Sequence, residues 1–445
     1  MSRAALLREL RPTLTLAAPI VVGHVCQMLM GVTDSAMIGH AGTVPLAASA
    51  FGNNIFNIFF VAGIGLTIPV AIFVARARGA RQPAEAAAYL RHGVAVALGC
   101  GLFEMLAMAA LSTQLHRFGQ PPEVVAIVTP FFLLYAASIV PALVYLVLRQ
   151  FAEAMGHPWM PMFIMLAGVG LNAGLNWVFI YGHLGVPALG LTGAGIATLL
   201  SRTLGTVVIF AWLRREAGLR AAWPVAWRGN FSRARLREML GIGLPASGML
   251  LFETTAFAFS GIMIGWLGAV PLAAHQIAIS CASLAFMFPL GLSIATGMRV
   301  SHAVGAAERE RLRVIGFGAL VVGLAVTAIF AATFGLGGRA IAGWFVDDAA
   351  VIAVAVQLLV VAALFQMVDG VQVIASAALR GASDVKVPAF ITLLAYWGVA
   401  LPLGYALGIR GTWGATGVWT GIAGGLTFAA VFLTVRFARL TGRNP

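Results

Sequence analysis

Charge is what this chain has least of. Asp, Glu, Lys and Arg make up 10% of its 445 residues, and only 15 are acidic. A soluble globular domain carries about 25%, so a water-soluble fold is excluded. Cysteine is scarce too. Cys26, Cys100 and Cys281 each lie in an apolar run without paired spacing, which leaves neither a disulfide framework nor a thiolate metal site. The chemistry-bearing motifs are missing as well. Without GxxxxGK[ST] there is no ATP-driven motor, and without HExxH, GxSxG or a Cys/His cluster no metal or serine hydrolase. An intramembrane aspartyl protease needs two close carboxylates sharing a proton, and its GxGD context is absent. A membrane-embedded enzyme is therefore disfavoured, no cofactor is implied, and energy must come from an ion gradient or a partner.

What is abundant is hydrocarbon. The chain is 60% hydrophobic, with a mean hydropathy of +0.95. Twelve apolar segments exceed the roughly 20 residues that cross a bilayer core: 12–36, 46–75, 88–112, 124–147, 159–181, 188–213, 237–266, 271–298, 313–336, 349–372, 387–408 and 411–438. This predicts an all-α polytopic membrane protein with twelve transmembrane helices. The basic N-terminal start reads as part of a retained first span, because its apolar run is the first of many. The net charge of +13 follows the positive-inside rule rather than a nucleic-acid partner. Of 28 basic residues, 24 fall on the N-terminal side or in even-numbered loops, 3 in odd loops and 1, Arg202, within span six. Both termini are expected to be cytoplasmic.

The chain repeats itself. MIGHAGTVPLAA (37–48) and MIGWLGAVPLAA (263–274) match at nine of twelve positions, at an offset of 226 that also carries Pro19 onto Pro245 and Gly65 onto Gly291. Residues 1–213 and 237–445 are the expected six-helix bundles, with 214–236 a basic cytoplasmic linker. Six spans between repeats leave both halves running the same way, related by an axis along the membrane normal. The face between such halves is where a transporter cavity is expected. Pro19, Pro69, Pro141, Pro245 and Pro289 are expected to kink their spans.

Four acids interrupt the apolar runs: Asp34, Glu104, Glu253 and Asp369. A charge at membrane depth costs at least about 2.5 kcal/mol, which makes each a functional candidate. Asp34 ends span one. Asn172 and Asn176, at i,i+4 on span five, share a helix face, and a carboxylate with two amides suits a proton or a hard cation. Glu253 and Asp369 have no Lys or Arg at i±3 or i±4. Two carboxylates in one dry pocket cannot both stay charged cheaply, so such a pair would bind a proton or cation. Glu104 reads as structural, paired with Arg202. His275 reads as a hydrogen-bonded core residue, and Asp347 and Asp348 as a solvated loop pair.

These segments resemble the MATE (multidrug and toxic compound extrusion) family, NorM-like branch. The matching stretches are Pro19 through TDSAMIGH and VPLAA, LLFETTAFAF with LGAVPLAAHQIA, FMFPLGLSIATGMRVSHAVG, and DGVQVIASAALRGASD. The resemblance implies two pseudo-symmetric six-helix bundles in a V. It implies a monomer in the bacterial inner membrane that exports small cationic or amphiphilic drugs in exchange for Na⁺ or H⁺. It makes Glu253 and Asp369 the C-lobe cation-site acids, with Na⁺ as their metal, and matches Asp34, Asn172 and Asn176 to the N-lobe polar site. It links Asp34, Gln276 and Asp348 to drug contact. The chain departs from it at Phe365, where a tyrosine often stands one turn before the span-ten acid. The nearest alternative is a flippase or exporter of a lipid-linked or polar metabolite, which would need more cationic residues inside the spans.

Overall fold

The computed structural model describes residues 3–227 and 231–442. Arg228 and Arg443, both counted above on the cytoplasmic side, lie outside the described residues. Among the described residues, twelve helices are long and apolar enough to span a membrane: α1 (Arg3–His40), α2 (Thr43–Gly79), α3 (Pro83–Ser112), α4 (Pro122–Ala154), α5 (Trp159–Tyr181), α6 (Gly190–Arg215), α7 (Arg233–Gly265), α8 (Ala269–Gly305), α9 (Arg309–Gly343), α10 (Ala349–Gly381), α11 (Lys386–Arg410) and α12 (Gly414–Gly442). No strand occurs among the described residues. Several helices run past their apolar segments by a turn or more, α4 reaching Ala154 where its segment ends at 147. Arg149, assigned above to a loop, is therefore a buried residue of α4.

The repeat is visible in the elements. α2 and α8 begin and end at the offset of 226, and α3 and α9 begin at it. The turns before α2 and α8 use Gly42 and Gly268 at φ 135° and 111°, a region that favours glycine. In one half α4 packs on α2, α3 and α6; in the other α10 packs on α8, α9 and α12.

The chain divides into two compact units, Val22–Ser247 and Met1–Val21 with Gly248–Pro445. This differs from bundle boundaries at 213 and 237: the division falls inside α1 and α7. Close helix packing explains it. Gly65 of α2 lies against the backbone of Ser247, whose hydroxyl donates to the Ala62 carbonyl. At the repeat-equivalent place, a Cβ on Gly291 of α8 would sit 2.9 Å from the Val21 nitrogen. Only glycine allows such an approach, the usual device of membrane helix pairs. Pro19 and Pro245 lie two residues before these contacts, where a proline leaves a carbonyl of the preceding turn without its helical donor. The described residues of the stretch 214–236 are structured. They contain a 3₁₀ turn, Ala217–Ala222. They are tied to α3 where Ser232 N donates to His92 Nε2 at 2.9 Å and Arg91 Nη1 to the Ala226 carbonyl at 3.3 Å.

Each crossing start is pinned by an ion pair, with the charges exchanged between units. Glu9 of α1 accepts from Arg311 Nε of α9 at 2.8 Å and also pairs with Arg299 of α8. Its repeat equivalent is Arg235 of α7, which donates to Glu85 of α3 at 2.7 and 3.2 Å. Glu85 is in turn the repeat equivalent of Arg311.

Candidate ion- and drug-coupling sites

In the unit Val22–Ser247, α1 and α5 bring Asp34, Asn172 and Asn176 together. Asn176 Nδ2 donates to Asp34 Oδ1 at 2.6 Å and to Asn172 Oδ1 at 3.3 Å. Both asparagines are fully buried, and Asp34 is half-buried. Tyr181 donates to the Met37 carbonyl at 2.8 Å, which fixes α5 against the end of α1. Asn176 Oδ1 and Asn172 Nδ2 have no partner. An unused amide oxygen beside a carboxylate is a ligand set for a proton or a hard cation.

Arg202 of α6 does not pair with Glu104, contrary to expectation. Its guanidinium lies 4.9, 5.1 and 5.8 Å from the rings of Phe56, Tyr135 and Phe60 and donates to Ser138 Oγ at 2.8 Å. Three aromatic faces satisfy the cation, and α3, which carries Glu104, packs on α2 and α4. Arg202 acts on Asp34 through space. Glu104 accepts from Cys100 Sγ at 3.2 Å, and its second oxygen is buried without a partner.

In the other unit the acids Glu253 of α7 and Asp369 of α10 interact electrostatically. Asp369 is 4% exposed, and its Oδ1 has no partner. Two residues join them that sequence reasoning did not find. Tyr396 of α11, its hydroxyl buried without a hydrogen-bond partner, is within electrostatic reach of both acids, and Arg380 of α10 acts on Glu253 while donating to Ser376 Oγ at 2.8 Å. Tyr396 lies on a π-helical segment, Leu394–Ala400, just before Pro402. Such segments recur at functional sites. The buried Gln366 side chain has no partner on either amide atom, nor has Gln372 Oε1. Arg149 and Arg380, like Arg202, lie in the spanning helices themselves.

The remaining candidates sit apart. Phe365 is packed edge-on against Phe257 and Trp419, at 6.0 and 5.6 Å. His275 accepts from Trp419 Nε1 at 3.1 Å as a core residue. Gln276 is exposed on α8. Asp348 caps α10, accepting from Ala350 N at 2.8 Å and Val351 N at 3.4 Å.

Twelve spans in two like repeats, each with acids that lack an ion-pair partner among the described residues, define a polytopic membrane carrier. Comparison with known proteins specifies it. The MatE family model matches twice, at residues 19–178 and 245–406, each match starting at a repeat proline. A probable multidrug resistance protein NorM of Mesorhizobium japonicum is 35% identical, over 97% of this chain and 94% of its own length. The multidrug resistance protein NorM of Burkholderia vietnamiensis is 33% identical, over 97% and 94%. Among solved structures, a Vibrio cholerae MATE transporter superposes with a TM-score of 0.92 at 20% identity, over 99% of both chains. An outward-facing multidrug resistance MATE family transporter superposes at 0.90 with 23% identity, over 99% and 98%. The chain belongs to the MatE family.

Proposed function

We propose that this protein is a multidrug efflux antiporter that exports cationic amphiphiles in exchange for Na⁺ or H⁺ by alternating access. One observation carries the coupling: Asp34, Glu253 and Asp369 have no ion-pair partner among the described residues. A carboxylate without an ion-pair contact at membrane depth is stabilised by taking up a proton or a cation. A drug cation and a coupling ion can therefore compete for one charge. Coupling follows when the two ligands prefer opposite states of the carrier. The Asp34 site would hold its ion with amide oxygens of Asn172 and Asn176, and the Glu253–Asp369 site with Tyr396 and Gln366. The basic loops support cytoplasmic termini in a bacterial inner membrane.

Ethidium accumulation in a drug-sensitive strain tests the reading. Expression should lower it, Asp369→Asn with Glu253→Gln should restore it, and a protonophore or removal of sodium should identify the coupling ion. Intact efflux in the double variant would remove the C-terminal acids from the mechanism.

A further inference from the structure

Three guanidiniums wall one cavity at the end of α6. The cavity, about 590 Å³, is lined by Phe210 and Ala211 of the span's last turns and by Arg214, Arg215 and Arg220. Arg220 reaches it from the 3₁₀ turn Ala217–Ala222. The three arginines are exposed and have no ion-pair partner among the described residues. No acid lines the cavity; Glu216, between the arginines in sequence, is not on its wall. Arginines at a helix C-terminus complement its dipole and obey the positive-inside rule. Neither effect requires a third arginine from a separate element to converge on the same space.

The surroundings identify the ligand class. Below the arginines, Leu200, Leu204, Val207 and Val208 are outward-facing at 39–58% exposure. Their i, i+4, i+7, i+8 spacing makes one apolar stripe that continues to Ala211. Beside the cavity, Phe210, Trp223 and Trp227 form a three-ring cluster with centroids 5.2–5.6 Å apart. Aromatic clusters of this kind mark the headgroup level of a bilayer. A stripe for acyl chains, an aromatic belt and a multiply cationic cavity occur in that order along one helix end. We propose that this cavity binds the headgroup of an anionic phospholipid, its phosphate held by Arg214, Arg215 and Arg220 and its chains lying along α6.

Native mass spectrometry of the full-length purified protein, titrated with cardiolipin, a lipid with two phosphates, tests this. Arg214→Gln/Arg215→Gln/Arg220→Gln should weaken cardiolipin binding at least about tenfold, since each basic residue near an anionic surface contributes up to about fivefold. Phosphatidylcholine binding should not change. The control is Arg8→Gln/Arg237→Gln/Arg309→Gln, which removes the same charge from exposed sites elsewhere; it should bind nearly as the parent does. Equal loss in control and test variants would overturn the site, leaving only diffuse attraction. Full displacement of the lipid by millimolar inorganic phosphate would also overturn it, in favour of a soluble-anion site. Should the triple variant fail to fold, Arg220→Gln, which lies outside the span, must still show a two- to threefold loss.

Discussion

Glu9→Gln should loosen the start of α1 far more than Glu85→Gln loosens the start of α7, although the two contacts are repeat equivalents. The difference comes from burial. Glu85 and Arg235 are 37% and 31% exposed, so water already screens them and their pair contributes about 0.5–1 kcal/mol. Glu9 is 14% exposed and its partner Arg299 12%. Removing that carboxylate charge leaves Arg299 largely out of water, still bonded to Thr13 Oγ1 and the Glu9 carbonyl but with no counter-charge beyond a neutral amide. Breaking one side of a buried pair costs about 3–5 kcal/mol, and the retained hydrogen bonds offset roughly 1–2 of it, leaving about 2–3 kcal/mol. Hydrogen exchange reads local opening directly. Amides near the start of α1 should exchange about 30–150-fold faster in Glu9→Gln, and those of α7 about 2–5-fold faster in Glu85→Gln, at about 1.4 kcal/mol per decade. Equal effects in the two variants would refute the burial argument. Reversing both charges separates the units again. Glu85→Arg with Arg235→Glu should restore protection. Glu9→Arg with Arg311→Glu should not, because Arg299 then faces a like charge.

Three further outcomes follow from the sites. Gly65→Leu must force the Ser247 backbone away from α2, so its yield of monodisperse protein should collapse, whereas Gly99→Leu, with open space around it, should express as the parent does. Asn176→Ala deletes the donor to Asp34 Oδ1; drug efflux should fall severalfold with little change in thermal stability, and an unchanged rate would exclude the amide from coupling. Phe365→Tyr places a hydroxyl one turn before Asp369 on the same face of α10; sodium stimulation of efflux should rise, and a rise in proton dependence alone would contradict that placement.

Much of this architecture is legible in the chain because membrane helices announce themselves by continuous apolar length, and a repeat by gapless identity. The shared face of Asn172 and Asn176 was legible through their i,i+4 spacing, but spacing alone does not bring that face to Asp34 on another helix. Tyr396 was not legible, because the π segment it sits on shifts the helical phase, so 3.6-residue periodicity does not assign its face. Arg149 and Arg380, counted among the loop arginines, lie in helices because an apolar run ends where charge begins, while the helix continues until its backbone bonds run out. The unit boundaries were hidden for a different reason. Chain order assigns α1 to the first half, and only its glycine and ion-pair contacts assign its start to the second. A signal was nevertheless present. Glu9 and Arg235 are repeat equivalents of opposite sign, and so are Glu85 and Arg311. Had each helix start docked within its own half, Glu9 would meet Glu85 and Arg235 would meet Arg311, like against like in both places. Only the exchanged arrangement puts opposite charges together twice. Opposite signs at two repeat-equivalent positions are therefore enough, without coordinates, to choose which half each helix start belongs to.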